Sequence, residues 1–414
     1  DYILFYTGTS PIELHPYAIG RMYQIAESND GALFYSDYQE IRQGKKIHHP
    51  TLEYQTGSIR NDFDFGQLLL FRNDSFQQVV AQMNTDYRFA ALYELRLSIS
   101  RLGKIVHIPE TLYTVQPTDL RLSGEKQFDY VDPANREVQL EMEAVCTAHL
   151  QAIGAWLAPE FQRIDFGQEN FAREASVIIP VRNRKRTIAE AVESALQQQT
   201  DFSFNVIVVD NHSTDGTGQI LTELSRRYPN LIHHIPASTE LGIGGCWTEA
   251  ILLPECGKFA IQLDSDDLYK DCHVLQRIVD TFYQENCAMV IGSYQMVDFK
   301  LEEIPPGLIA HREWTPDNGR NNALRINGLG APRAFYTPVL RQIKFPNVSY
   351  GEDYATALAI SRKYPIARIY DPLYLCRRWE ENSDHDLDIQ QLNNYNFYKD
   401  KIRTLEIQAR ISGK

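Results

Sequence analysis

Lys258-Phe-Ala-Ile-Gln-Leu-Asp-Ser-Asp-Asp267 is an apolar run that ends on a cluster of carboxylates. Short apolar stretches with polar ends are the pattern of strands buried on both faces. Upstream, Ser176-Val-Ile-Ile-Pro180, Asn205-Val-Ile-Val-Val-Asp210 and Leu231-Ile-His-His-Ile235 repeat that pattern. Between them Thr187 to Gln198, Thr217 to Tyr228 and Gly245 to Leu253 carry the apolar spacing of helices. This alternation predicts βαβ units with right-handed crossovers and a mostly parallel α/β sheet. Ligands in such sheets gather at the carboxyl ends of the strands, where Asp210 and Asp264 to Asp267 fall.

The polar tips suggest specific chemistry. Carboxylates at alternate positions past a strand end, as in Asp264-Ser265-Asp266-Asp267, can converge on one hard cation, and Mg²⁺ and Mn²⁺ prefer such oxygen ligands. The plainer reading of an isolated run of this kind is a solvated turn or a helix cap before Leu268. Asp210 can accept hydrogen bonds from a base or ribose, while Ser213 to Gly216 turn the chain and cap the next helix. Leu241-Gly-Ile-Gly-Gly245, with Gly244 at its centre, brings backbone close to a neighbour at a helix start, where amide groups favour phosphate. Glu352-Asp353 opens the apolar helix Ala355 to Ile360. A helix N-terminus stabilises such acids, and one of them can also serve as general base toward a hydroxyl. The basic loop Arg182-Asn-Arg-Lys-Arg186 faces either an anionic ligand or solvent. His385, in Asn382-Ser-Asp-His385, is either a further metal ligand or a surface histidine.

Comparing the chain with itself reveals a repeat. Asp1-Tyr-Ile-Leu-Phe-Tyr-Thr-Gly-Thr-Ser-Pro11 follows the hydrophobic pattern of Lys258 to Leu268. Ile19-Gly-Arg-Met22 aligns with Leu275-Gln-Arg-Ile278, and Ala32 to Gln39 with Ala288 to Gln295. Phe65 to Arg72 aligns with Leu329 to Tyr336, Thr85-Asp-Tyr87 with Glu352-Asp-Tyr354, and Leu112-Tyr113 with Leu373-Tyr374. In the first copy the acidic run has become Thr7-Gly8-Thr9-Ser10, and nothing there corresponds to residues 175–257.

Composition sets the outer bounds. A chain of 414 residues is long for one core. We expect a partial domain over 1–125, a helical link over 126–170 built on Ala134 to Trp156, a complete domain over 171–390 and a C-terminal helix over 391–414. With 43% hydrophobic and 23% charged residues the composition is that of a soluble globular protein, and no apolar run reaches membrane-spanning length. The net charge of −13 argues against a nucleic-acid partner. Six cysteines without a CxxC pair suggest neither a zinc cluster nor a disulfide framework, which favours a reducing cytoplasm. The start lacks a signal peptide and an initiator Met, which reads as a fragment.

Taken together, Ser176 to Asn183, Val206 to Thr217, Leu241 to Gly245, the Asp264 run and Gly351-Glu-Asp353 resemble the ordered motifs of family 2 glycosyltransferases. The resemblance implies the GT-A fold over about 175–385, in tandem with a partial, degenerate GT-A-like domain at the N-terminus. It implies that Pro180, Val181, Asn183, Asp210, Gly244, Asp264 and Ser265 line the nucleotide pocket. Asp266, with His385, would hold Mn²⁺ or Mg²⁺, and Asp353 would be the base of an inverting displacement. A nucleotide-sugar donor and a glycan or lipid-linked acceptor are the implied partners. The implied location is the cytoplasm, including the inner face of the membrane, and the family leaves room for a homo-oligomer. Two positions depart from the family pattern. Asn211 stands where many members carry a second Asp, and Trp247-Thr248 where many carry Arg-Asn; both change residues expected to contact the donor. A nucleotidyltransferase fits less well, because Val181 to Arg186 contains no glycine. A non-catalytic scaffold derived from a duplicated transferase is the other alternative.

Overall fold

The computed structural model describes residues 2–84, 86–116, 135–167, 170–379 and 388–413. The chain divides into two compact units. One comprises the chain up to Leu157, Asn321–Asn327 and the last helix; the other holds Ala158–Arg320 and Gly328–His385.

In the first unit, β1 (Tyr2–Tyr6), β2 (Ile12–Leu14), β3 (Gly31–Arg42), β4 (Lys45–His49), β5 (Leu68–Arg72) and β6 (Lys104–Val115) form one sheet. Its order is β1-β5-β3-β6-β2, with β4 beside β3. The first eight residues of β3 are all buried, because both faces of the sheet are covered. Phe34, Tyr38 and Leu70 pack with Ala18, Met22 and Ala26 of the helix Ala18–Glu27. Leu33, Tyr35 and Phe71 pack on the other face with Leu95 and Ile99 of the helix Ala91–Leu102.

In the second unit, β7 (Ala175–Val181), β8 (Phe204–Asp210), β9 (Leu231–His234) and β10 (Phe259–Gln262) are parallel neighbours. The sheet continues through β11 (Leu268–Tyr269), β12 (Met289–Val297), β13 (Glu303–Ile309), β14 (Arg333–Tyr336) and β15 (Ile366–Arg377). The whole order is β11-β15-β12-β14-β10-β7-β8-β9, with β13 beside β12. The expectation of a mostly parallel sheet holds for the β10-β7-β8-β9 side, and beyond it only β12 and β15 pair in parallel. β14 runs antiparallel to both β10 and β12, so the sheet is mixed.

The six strands β1 to β6 pair in the same order and directions as β10 to β15. The registers match as well. Tyr2 faces Arg72 as Phe259 faces Tyr336, Leu33 faces Phe71 as Met289 faces Phe335, and Leu33 faces Ile105 as Met289 faces Ile366. Gly66 and Gly330 precede β5 and β14 at equivalent places, both in the left-handed region at φ 67° and 99°. One sequence match falls out of register. Counting back without a gap from Ile105 and Ile366 sets Tyr93 against Tyr354 and Leu92 against Asp353; Thr85 lies outside the described residues.

The division of the chain differs from the expected one. The helix Arg136–Ala152, read as a link, is part of the first unit, with Val145, Cys146 and Leu150 buried. Its buried Gln139 accepts a hydrogen bond from Arg325 Nη1 at 2.6 Å, and the same nitrogen reaches Asn61 at 2.8 Å. The helix Ile389–Ile411 joins this unit too, through Asp400, which pairs with Arg403 at 2.8 Å and accepts from Ser58 at 2.9 Å. Polar partners this far apart in sequence leave no periodic signal.

Candidate active site

The second unit builds its polar end from strand tips and helix starts. β7 and β8 are buried and apolar, so their ends carry the first polar side chains. Pro180 and Val181 pair in register with Val209 and Asp210, and Asn211 N donates to Val181 O at 2.8 Å. Asp210 accepts from Ser213 N at 2.9 Å and meets His233 Nε2 at 3.3 Å. Burial raises its pKa, but His233 and Ser213 outweigh this and hold the carboxyl below its ordinary range. Asn183, at φ 55°, donates from its backbone to Ser213 Oγ and accepts from Thr214 N at 2.8 Å, which ties the two strand-end loops together. Asp215, one residue before the N-cap Gly216 of the helix Thr217–Arg227, accepts from Thr217 N and Oγ1.

Gly244 lies in the first turn of the helix Ile243–Leu252. A Cβ there would sit 2.0 Å from Pro346 O, and its amide donates to Val348 O at 2.9 Å. Gly242 N donates to Asn347 Oδ1 at 2.7 Å and Ile243 N to Ser349 Oγ at 3.3 Å. The close approach of this turn is therefore to the 346–349 segment. Trp247, in the same helix, packs on Phe335 and Phe345 with ring centroids 5.8 and 5.2 Å away. It is a core residue, so any cation at the site comes from elsewhere.

The acidic run divides its labour. Asp267 is buried and accepts from Arg377 N at 2.8 Å; burial and the charges of Asp266 and Asp264 push its carboxyl well above the ordinary range. It anchors β15 against the turn. Ser265 is buried beside it. Asp264 N donates to Tyr374 OH at 2.9 Å, and both of its carboxylate oxygens lie 3.0 Å from Gln262 Nε2. Burial first, and Asp266 after it, push Asp264 up in spite of Gln262. Asp266 Oδ2 accepts from Trp379 Nε1 at 3.1 Å and stands 3.7 Å from Arg184 Nε. The guanidinium groups of Arg184 and Arg186 lie over the Trp379 ring, 5.7 and 5.0 Å from its centroid, so the basic loop faces the acidic run.

Asp353 enters from the N-terminus of the helix Glu352–Ser361, whose preceding Gly351 takes the left-handed φ of 76°. Its Oδ2 is 2.6 Å from Arg333 Nη2. Arg333 starts β14 and also donates from its backbone N and Nη1 to Gln262 Oε1, both at 3.1 Å. Burial disfavours the Arg333 cation, yet the charges of Asp353, Asp264 and Glu352 more than offset this and raise its pKa. Neighbouring Glu352 is pushed up to about 8, by burial and then by the charge of Asp353. Asp264, Gln262, Arg333 and Asp353 thus form one connected polar row, drawn from the end of β10, the start of β14 and one helix. Sequence reading missed Arg333, Gln262, Tyr374, Arg377 and Trp379. Arg333 alone left a signal, as a charged residue opening an otherwise apolar strand.

Among the described residues, no set of three or more His, Cys, Asp or Glu side chains is arranged to hold a metal ion, and His385 lies outside those residues. Asp264 and Asp266 remain a two-carboxylate oxygen donor set of the kind a hard divalent cation suits, with a mutual repulsion such a cation would relieve. No helix among the described residues is long and apolar enough to cross a membrane, and all six cysteines are free.

Residues 176–343 match the sequence profile described as Glycosyl transferase family 2, so the second unit carries a glycosyltransferase domain. An uncharacterized glycosyltransferase from a Nostoc species is 32% identical over 123 residues, covering 30% of this chain and 37% of that protein. A poly(ribitol-phosphate) beta-glucosyltransferase from Bacillus spizizenii is 24% identical over 230 residues, covering 54% and 35%. A putative teichuronic acid biosynthesis glycosyltransferase, TuaG, from Bacillus subtilis is 26% identical over 195 residues, covering 47% and 74%. The chain thus spans little more than a third of the first two. Among solved structures, residues 1–349 of S. aureus TarS, crystallised with UDP-GlcNAc, align at a TM-score of 0.44 and 23% identity, over 57% of this chain and 72% of that one.

Proposed function

We propose that the second unit transfers a glycosyl group from a nucleotide-diphosphate sugar to an acceptor hydroxyl, with inversion, in the assembly of a cell-surface polymer. The observation that carries this reading is the row of Asp264, Gln262, Arg333 and Asp353, which joins the donor-side acids to a carboxylate at a helix N-terminus. Pro180, Val181, Asn183 and Asp210 line the end where base and ribose bind, with Asp264 and Ser265 beyond them. Asp266, with Asp264 beside it, would hold a Mn²⁺ or Mg²⁺ ion, and such an ion would neutralise charge on the donor's diphosphate. Arg184 stands beside Asp266 and Arg186 lies over the Trp379 ring, and the two supply the positive charge that the helix carrying Trp247 lacks.

The displacement is a single step. The acceptor oxygen forms a bond to the anomeric carbon while the bond from that carbon to the β-phosphate oxygen breaks, and the electron pair leaves with the nucleoside diphosphate. Asp353 takes the hydroxyl proton. The relatives named for poly(ribitol-phosphate) and for teichuronic acid suggest a glycan or polyol-phosphate acceptor. The first unit, in this reading, is a degenerate copy of the acceptor half. Thr7 and Thr9 stand in place of Asp264 and Asp266, Leu69 in place of Arg333 and Leu92 in place of Asp353. Its matching sheet supports that origin, and the loss of every acid leaves it without catalysis.

The test is calorimetric titration with UDP, GDP and dTDP, in Mn²⁺ and in EDTA, beside Asp266→Ala. Binding of one nucleotide that requires both the metal and Asp266 is the expected result. Equal binding in EDTA removes the metal from the reading; no binding of any nucleotide favours a scaffold.

A further inference from the structure

We propose that Arg333 is a positioning residue: it holds Asp353 at a fixed place relative to the donor-side acids, and so sets the proton acceptor's aim. This rests on the transferase reading of the same site.

The geometry is specific to a guanidinium. One nitrogen, Nη2, is 2.6 Å from Asp353 Oδ2, while Nη1 and the backbone N reach Gln262 Oε1 at 3.1 Å. Gln262 in turn lies 3.0 Å from both oxygens of Asp264 through Nε2. A planar fork pinned by a neighbouring side chain on one nitrogen fixes the direction of the other; an ammonium on a flexible stem does not. Arg333 is itself held because its strand is paired on both sides, to β10 and to β12. The distance from Asp353 to the acidic run is therefore set by the sheet and not by the mobility of a helix end.

The first unit gives an independent indication that these residues act together. At equivalent register it has Phe5, Thr7, Leu69 and Leu92 where the second unit has Gln262, Asp264, Arg333 and Asp353. Three residues around them keep their identity: Gly66 matches Gly330, Tyr113 matches Tyr374 and Tyr93 matches Tyr354. Had Arg333 served only the fold, its position would be expected to stay polar with the rest of the framework. Instead the row is absent as a set.

The experiment uses the full chain in Mn²⁺. Hydrolysis of UDP-glucose, UDP-N-acetylglucosamine and GDP-mannose is followed together with nucleoside diphosphate binding, for the wild type, Arg333→Met, Arg333→Lys, Asp353→Asn and the Arg333→Met/Asp353→Asn pair. Misplacing a reacting group by about 1 Å costs on the order of a hundredfold, so Arg333→Met is expected to lose about that in kcat. Donor KM and nucleotide Kd should stay within roughly threefold, and Arg333→Lys should fall between the two. The double variant should be no slower than Asp353→Asn alone, because residues acting as a unit are not additive. A nucleotide Kd that rises as far as kcat falls makes Arg333 a donor-binding group and overturns the proposal, as do losses that multiply. Should Arg333→Met fail to fold, Arg333→Lys decides: reduced kcat with intact nucleotide affinity supports positioning, and unchanged kcat overturns it. Full-speed Arg333→Met beside a dead Asp353→Asn defeats the proposal alone. An Asp353→Asn protein as fast as the wild type defeats the base assignment. A wild type that neither binds nucleotide nor hydrolyses any donor defeats both.

Discussion

The two sheets of this chain share a pattern of six strands and differ in what their ends carry. In the second unit the tip of β10 leads into three carboxylates, and β14 opens on an arginine that answers them. In the first, the matching tip is Thr7-Gly8-Thr9-Ser10, and the space is filled from within. A Cβ on Gly8 would lie 2.2 Å from Gln67 Oε1 and 2.3 Å from Tyr6 OH. The first unit holds charged side chains in its interior, where Arg60, Arg325, Asp400 and Arg403 are all nearly inaccessible to solvent. Two sheets can thus share a strand register and differ in what their tips offer, because register depends on the apolar pattern and chemistry on a few tips.

The largest effect that tests this contrast is on turnover. Asp353→Asn is expected to slow transfer by roughly 10²–10⁴-fold, the usual worth of a general base, whereas Leu92→Asn, its counterpart in the first unit, should change the rate by less than about twofold. Equal losses from the two would break the comparison. Next comes stability. Asp400 is buried between Arg403 at 2.8 Å and Arg60 at 3.4 Å, so Asp400→Ala leaves buried charge unpaired and should cost about 3–5 kcal/mol in urea denaturation. A loss below about 1 kcal/mol would mean that the arginines find other partners.

A smaller effect depends on pH. His49 lies 2.9 Å from Asp64 and 3.5 Å from Glu40. Burial disfavours its cation, but these acids outweigh burial and lift its pKa from 6.5 to about 9. The folded state therefore holds the proton more tightly than the unfolded one. The stabilisation is complete below pH ~6.5 and disappears as pH rises through about 9. His49→Gln should flatten the fall in denaturation midpoint over that window, and an unchanged slope would locate it elsewhere. The smallest effect is from placing acids just past β1. Thr7→Asp/Thr9→Asp should shift stability by only about 1 kcal/mol or less and create no Mn²⁺-dependent nucleotide binding, since the strand ends that carry Pro180, Asn183 and Asp210 have no match among residues 2–116. New binding from those two changes would show that the acids alone make the site.

Much of this was legible in the chain itself. The strand-ending acids, the helix opening at Glu352 and five of the six repeat matches fall in observed register, because strand burial and helix spacing are written in neighbouring residues. The helix Arg136–Ala152 was misread as a link, since nothing local reveals that Gln139 is the buried partner of Arg325, 186 residues away. The match at Thr85 failed for a related reason: two shared letters outweighed a register that only the strands fix.

The sequence by itself determined where strands end, where carboxylates collect and which stretches repeat, because each is a periodic or contiguous property of the chain. Only the tertiary structure decided what each acid does. Asp267 is committed to Arg377, 110 residues on, Asp266 meets Trp379 and Arg184, and Asp353 meets Arg333. Those partners come from different strands, loops and helices, so their pairing depends on how the sheet is wound and not on any local pattern.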